Sequence, residues 1–395
     1  MKHFDRQIWH AAGRALTVAL AAALPLVSCD LQSPDSPEDS ESESSLYSRT
    51  FSMTPQGVAD LLCSTRLTRD QILEVHGAVS ASVSNGYDEE YTFRDMVTNP
   101  GSGVGDCRFG TKSALSTAPA LKDALAETLR GSSPTRSSES MLDGLACSGL
   151  QIYWPFADEW DGMEMPAVTF NPEDGSESNV GFVQEPLPDG TVSLRRVNVD
   201  EEYARNHPVW VVNRNEDASY LTPSLLEKID PSRTKASTSF KTLRLKDFKA
   251  HRNYDCFLAG ASEFVIKCGA INAFEADILS DMTNFTPEIT DMVIVVKRKQ
   301  VETSVRLNTM LVSEWSDQLD EAAFLMTEDD GGKMTTWKTS GSVKIKSKTY
   351  GFDVEFPLNK NDDIVWRGSI SRNYFDKYNG KAGRFGDVSL TFTLD

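Results

Sequence analysis

The chain is poor in the residues that most enzymes use for proton transfer and nucleophilic attack. It has five histidines, and the three beyond the N-terminal segment sit in unrelated contexts. His76 ends a helix-like pattern, His207 precedes Pro208 at a strand entrance, and His251 lies in a polar stretch. No His-Glu-x-x-His and no Gly-x-Ser-x-Gly occurs, so the signatures of zinc peptidases and nucleophile-elbow hydrolases are missing. The six cysteines include no Cys-x-x-Cys pair, which removes the usual zinc and redox spacings. Positive charge is outnumbered, with 40 Lys and Arg against 58 Asp and Glu and a net charge of −18. Such a field repels phosphate backbones, and nucleic acid is not an expected partner. The basic runs Lys297-Arg298-Lys299 and Lys344-Ile345-Lys346-Ser347-Lys348 are local, and the second has the period of a strand with one solvated face. Apolar runs are short as well. The longest, Ala15 to Val27, has 13 residues, whereas a spanning helix needs about 20.

What stands at the N-terminus is therefore a leader rather than a span. Lys2, Arg6 and Arg14 form a basic start, Ala15 to Val27 an apolar middle, and Leu26-Val27-Ser28-Cys29 closes it before a wholly polar stretch. That layout is what signal peptidases act on. The tetrapeptide resembles a bacterial lipobox, over the first thirty residues or so. The resemblance implies that residues 1–28 are removed and that Cys29 becomes the acylated first residue, anchoring the chain in the cell envelope at the outer membrane or cell surface. One acyl chain binds reversibly and two or more anchor stably. Cleavage removes three positive charges and one negative, taking the net charge from −18 to −20. The acidic residues after Cys29 resemble surface-export signals of Bacteroidota lipoproteins, while Asp30 resembles the inner-membrane retention signal of enterobacterial ones, so the leaflet stays open. Residues 29–50 are expected to be a disordered acidic linker, since Ser33 to Ser45 is almost without apolar side chains.

Composition then divides the chain into three further stretches, and the expected class is α+β. Residues 51–145 read as helical. Val58, Leu61, Leu62, Leu67, Ile72, Leu73, Val75 and Val79 recur at three- and four-residue steps, with Pro55 behind a Thr54 cap. A second helix is expected over Ala118 to Leu129, followed by a polar linker from Ser132 to Ser140. The glycine-rich loop between them ends in Gly110-Thr111-Lys112-Ser113; Thr111 breaks the phosphate-loop spacing, and a flexible loop is the better reading. Residues 146–235 read as short strands, Leu150 to Trp154, Ala167 to Phe170, Thr191 to Val199 and Val209 to Asn213. The stretches Ile152 to Gly162 and Asp200 to Asn213 resemble those of uncharacterised Bacteroidota lipoproteins over about residues 145–220, a likeness that carries no catalytic residue. Residues 236–395 are expected to form an antiparallel β-sandwich from at least six strands. Phe352, Val354 and Phe356, and Val388, Leu390, Phe392 and Leu394, alternate with polar residues. Cys256 and Cys268 are the favoured disulfide pair if one forms, with buried free thiols as the alternative.

Two groups of residues are candidates for binding. Asp329, Asp330, Asp362 and Asp363 sit on two acidic turns, Glu328-Asp329-Asp330-Gly331-Gly332 and Asn359 to Asp363, which are proposed to meet at one end of the sandwich and hold calcium. Glu314, Asp317, Asp320 and Glu321 precede the first turn. Calcium takes six to eight oxygens from carboxylates and carbonyls on turns. Solvated acidic turns explain the same residues, and no EF-hand spacing is present. Trp154 and Trp160, clustered with Tyr153 and Phe156 beside three acids, could stack a glycan or seat a protein ligand, or belong to the core. The sequence thus points to a binding or structural module of the cell envelope, with an extracytoplasmic hydrolase using carboxylates as the alternative.

Overall fold

The computed structural model describes residues 52–98, 121–132, 137–187, 191–217, 220–229 and 239–395, all within one compact unit, Ser48–Asp395. The leader, Cys29, the acidic linker and the glycine-rich loop lie outside the described residues. The fold is α+β, with helices first and three mostly antiparallel sheets.

The N-terminal helices are α1 (Pro55–Ser64), α2 (Arg69–Ser84), α3 (Phe93–Val97), α4 (Leu121–Ser132) and α5 (Ser138–Ala146). The apolar repeat of Val58 to Val79 is shared by two helices because it contains two start signals. Thr54 caps α1, and Thr68 with Gln71 forms a capping box on α2. The serine-rich stretch expected to be a linker contains the start of α5, capped by Ser137. Its buried residues, Met141, Leu142, Leu145 and Ala146, lie downstream of the polar residues that suggested a linker.

The helices cover one face of a six-stranded sheet with strand order β1-β2-β6-β3-β4-β5. Its strands are β1 (Glu90–Thr92), β2 (Leu150–Tyr153), β3 (Ala167–Phe170), β4 (Asn179–Pro186), β5 (Val192–Val199) and β6 (Val209–Arg214). Only the β3–β6 pair runs parallel. Val58, Leu62, Val75, Leu125, Ile152 and Trp210 fill the core between helices and sheet. Full burial of an aliphatic side chain there contributes about 1.5–3 kcal/mol. A smaller core on Tyr153, Val183 and Val211 receives Phe257 and Leu258 from a later loop. Two short helices, α6 (Glu201–Asn206) and α7 (Pro223–Ile229), flank β6.

The C-terminal part is a sandwich. One sheet has the order β10-β7-β16-β15, the other β13-β12-β11-β8-β9, with β14 also paired to β11. The ranges are β7 (Lys241–Ala250), β8 (Ser262–Ala270), β9 (Glu288–Val296), β10 (Val305–Trp315), β11 (Leu319–Glu328), β12 (Met334–Ile345), β13 (Lys348–Asn359), β14 (Asp363–Ser371), β15 (Ala382–Phe385) and β16 (Val388–Leu394); α8 (Tyr374–Tyr378) precedes β15. Both sheets contribute to one large core that includes Leu245, Phe264, Phe324, Phe356 and Phe392. The alternation seen in β13 and β16 is the alternation of their burial.

Two expectations change. Cys256 and Cys268 are not bonded: both are free thiols, because Cys268 points into the sandwich core while Cys256 lies against the smaller core of the first sheet. Lys344 to Lys348 is a tight hairpin turn rather than one strand face, with Ile345 opposite Lys348 and Lys346 at φ 57°. Strand β10 starts at Val305, after a short 3-10 turn over Arg298–Gln300 and a left-handed Glu302.

Candidate metal centre

Where the first sheet meets the sandwich, three carboxylates converge. Asp255 lies in the connection from β7 to β8, Glu263 is the second residue of β8, and Glu328 is the last residue of β11. Strands β8 and β11 are antiparallel neighbours with Phe264 opposite Glu328, and Asp329 N donates to Glu263 O at 3.1 Å beyond that pair. This register sets the two glutamates one position apart on adjacent strands, and the loop turns Asp255 onto them. One oxygen of each of the three lies within 4.8 Å of the others. Glu328 is 0% exposed and Glu263 8%. Neither Oε atom of Glu328, nor Oδ2 of Asp255, meets a donor from another residue, and the two carboxyls bond to each other when they share a proton.

The surroundings are acidic. Burial, then the Asp255 carboxyl, pushes Glu328 far above the usual carboxylate range. Glu263 rises well above it through burial and the charges of Asp255, Glu216, Asp217 and Glu328. Glu216, in the loop after β6, is pushed up to about 9, by burial first and then by Asp255, Asp330 and Asp329. An ionised carboxylate only accepts hydrogen bonds, and a buried one without a partner costs several kcal/mol. Such a group either keeps its proton or gains a cation. Calcium lies 2.3–2.6 Å from its oxygens, so oxygens on opposite sides of the ion are about 4.6–5.2 Å apart, whereas magnesium demands a tighter octahedron. The three oxygens span a distance suited to calcium, and bidentate carboxylates, carbonyls and water supply the remaining positions.

The two acidic turns expected to meet do lie side by side. Glu328 is opposite Asp363 on the paired strands β11 and β14. Asn359 links the turns, its Nδ2 donating to Asp329 Oδ1 and its N to Asp362 Oδ2, both at 2.8 Å. Asp329 and Asp362 are buried, and Asp330 and Asp363 are exposed. Burial foremost pushes Asp362 up to about 7. Lys267, itself buried, contributes positive charge close to Asp329 and Asp362, whereas every charged neighbour that shifts Glu328 and Glu263 is an acid. The cation-demanding point is therefore Asp255–Glu263–Glu328, next to the predicted quartet. The earlier acids are held elsewhere: Asp317 by Arg372, Asp320 by Lys344 at 2.7 Å, and Glu321 by Ser369 at 3.4 Å.

Asp255 and Glu263 were missed by sequence reasoning because they come from segments without an acidic run. The signal was there in Ser262 to Cys268, where a glutamate and a lysine interrupt an otherwise apolar strand that is buried throughout.

Trp154 is fully buried in the helix-covered core, and its ring packs 5.2 Å from Trp160 and 5.9 Å from Trp210. It offers no face for a ligand to stack on. Trp160 is half-buried, and its indole N–H donates to Glu164 O. His76 contacts Ala157 O, and His207 contacts Glu164. His251 joins Ser389 Oγ through Nε2 and Glu302 through Nδ1, each at 2.8 Å. This chain has the order of a serine relay. Ser389, however, sits mid-strand in β16 between β7 and β15, on a sheet whose backbone N–H groups are engaged in strand pairing, and a relay needs free N–H donors for the developing oxyanion. Glu302, whose carboxyl Lys249 and His251 hold down to about 2, serves as a surface ion-pair acceptor.

Among known proteins, no family model, no curated protein and no solved structure matches this chain.

Proposed function

We propose that the protein is a lipid-anchored binding or structural module of the cell envelope whose folded body binds a calcium ion. The observation that carries the calcium reading is the convergence of Asp255, Glu263 and Glu328 within 4.8 Å, with neither oxygen of a wholly buried Glu328 meeting a donor from outside the cluster. Anchoring rests on the lipobox-like run before Cys29, and no described helix is long and apolar enough to cross a membrane. An acylated Cys29 followed by an acidic linker would hold the body at the outer membrane or cell surface, where a protein or glycan is the expected ligand class.

The alternative is a hydrolase that uses the same carboxylates. A glycosidase needs its two carboxyl groups about 5–5.5 or 6.5–9.5 Å apart across a cleft that admits a sugar. Here Glu328 is wholly buried and out of a sugar's reach, which favours an ion over a substrate.

Isothermal titration of the mature chain with calcium tests the reading. One saturable site is expected, absent in the Asp255→Asn/Glu328→Gln variant. A flat titration of folded, metal-stripped protein would overturn it.

A further inference from the structure

The carboxylate cluster closes the base of a loop that ties the two parts of the fold together. Residues 251–261 connect β7 to β8. Phe257 and Leu258 at their middle are buried against Tyr153, Val183 and Val211 of the first sheet. The loop is stitched there almost wholly by side chains. Phe257 N donates to Glu177 Oε2 at 2.7 Å, Ala261 N donates to Asp88 Oδ2 at 3.0 Å, and Asn213 Nδ2 donates to the carbonyls of Leu258 and Ala259. Arg298 Nη1 reaches the Asp255 carbonyl at 3.2 Å. Asp255 stands two residues before Phe257, and Glu263 two residues after Ala261. Both ends of the plugging segment thus carry a carboxylate that faces Glu328. A cation bound by all three carboxylates ties both ends of the loop to the end of β11.

Resting on the calcium reading above, we propose that the ion is a latch: calcium at Asp255, Glu263 and Glu328 holds the 251–261 loop closed, and its removal releases Phe257 and Leu258 from the first sheet. The loop also supplies Phe257 and Ala261 to a small cleft that Phe156, Lys297 and Arg298 help to line. Calcium therefore governs one wall of that cleft as well as the join between the two parts. Elements remote from the loop, such as the β12–β13 hairpin, keep their own pairing.

Hydrogen–deuterium exchange on the full mature chain, in saturating calcium and in chelator, reads the latch. Amides of residues 256–262 should exchange about tenfold faster or more in chelator, in keeping with local opening, while those of β12 and β13 stay as they were. In the Asp255→Asn/Glu328→Gln variant, which lacks two of the three ligands, the loop should exchange at the same rate with or without calcium. If titration shows calcium binding but the loop exchanges equally in both conditions, the latch is wrong and the calcium site stands. If exchange rises alike throughout the chain, the ion supports the whole fold and the latch is again wrong. If no calcium binds, both readings fall together.

Discussion

Glu328, wholly buried at the end of β11, faces Asp255 with an oxygen-to-oxygen approach inside 4.8 Å and no donor from outside the cluster on either of its own oxygens. Two acceptors in that position repel unless a proton or a cation stands between them.

Glu328→Gln supplies a donor without the need to take up a proton on folding. The metal-free variant should be more stable than the metal-free parent by ~1–3 kcal/mol, the scale of a relieved buried polar mismatch. Calcium should no longer raise its melting temperature. For the parent, a hundredfold excess of calcium over Kd adds about 2.7 kcal/mol, several degrees of melting temperature. Paired calorimetric scans of both proteins, with calcium and with chelator, check this.

Without calcium, stability should depend on pH in the opposite sense to ordinary acid unfolding. Glu216 and Glu328 hold their protons more tightly folded than unfolded. Folding therefore takes up protons above the unfolded value of about 4.5, and stability falls as pH rises from there toward about 9, the folded value of Glu216. The decline should reach a few kcal/mol, since one proton taken up on folding costs about 1.4 kcal/mol of stability for every pH step of one. Denaturant titrations across that window in chelator measure it, and saturating calcium should flatten the slope.

The sandwich strands most exposed to the eye in the sequence were those with one wet face. Phe352 to Leu358 and Val388 to Leu394 alternate because alternate side chains reach the core. Strand β11 does not alternate, since Ala322 to Asp329 is buried throughout with β8 on one side and β14 on the other. A run such as Ala-Ala-Phe-Leu-Met has no period by which to recognise a strand. The acidic turns were legible as a pair because each is a local run. The cluster itself joins residues 255, 263 and 328, whose proximity is set by the β8–β11 register and by a loop, and no local pattern encodes either.

Thiol reactivity should follow burial. Cys147 is exposed and should react readily with a maleimide, whereas Cys268 is buried and its thiol is pushed up by desolvation, so it should react only after unfolding. Labelling with mass-spectrometric readout, with and without reductant, also checks that Cys256 and Cys268 are unbonded, since prior reduction should change neither.

Gly386 turns the chain between β15 and β16 at φ 60°, and an added Cβ would meet the Val365 carbonyl oxygen at 2.0 Å. Gly386→Ala should cost about 2 kcal/mol or more, combining strain in the left-handed region with the clash. Equilibrium unfolding gives the value.

Cys29→Ser should move the protein from the membrane to the soluble fraction and abolish labelling by a palmitate analogue, as expected for a lipid held on that cysteine alone. Label retained on the variant would contradict the anchor.

The most direct test of the account is anomalous diffraction from crystals grown in a calcium surrogate such as terbium. One strong peak is expected between the carboxylates of Asp255, Glu263 and Glu328. No peak there, or a peak only at the exposed Asp330 and Asp363, would contradict it.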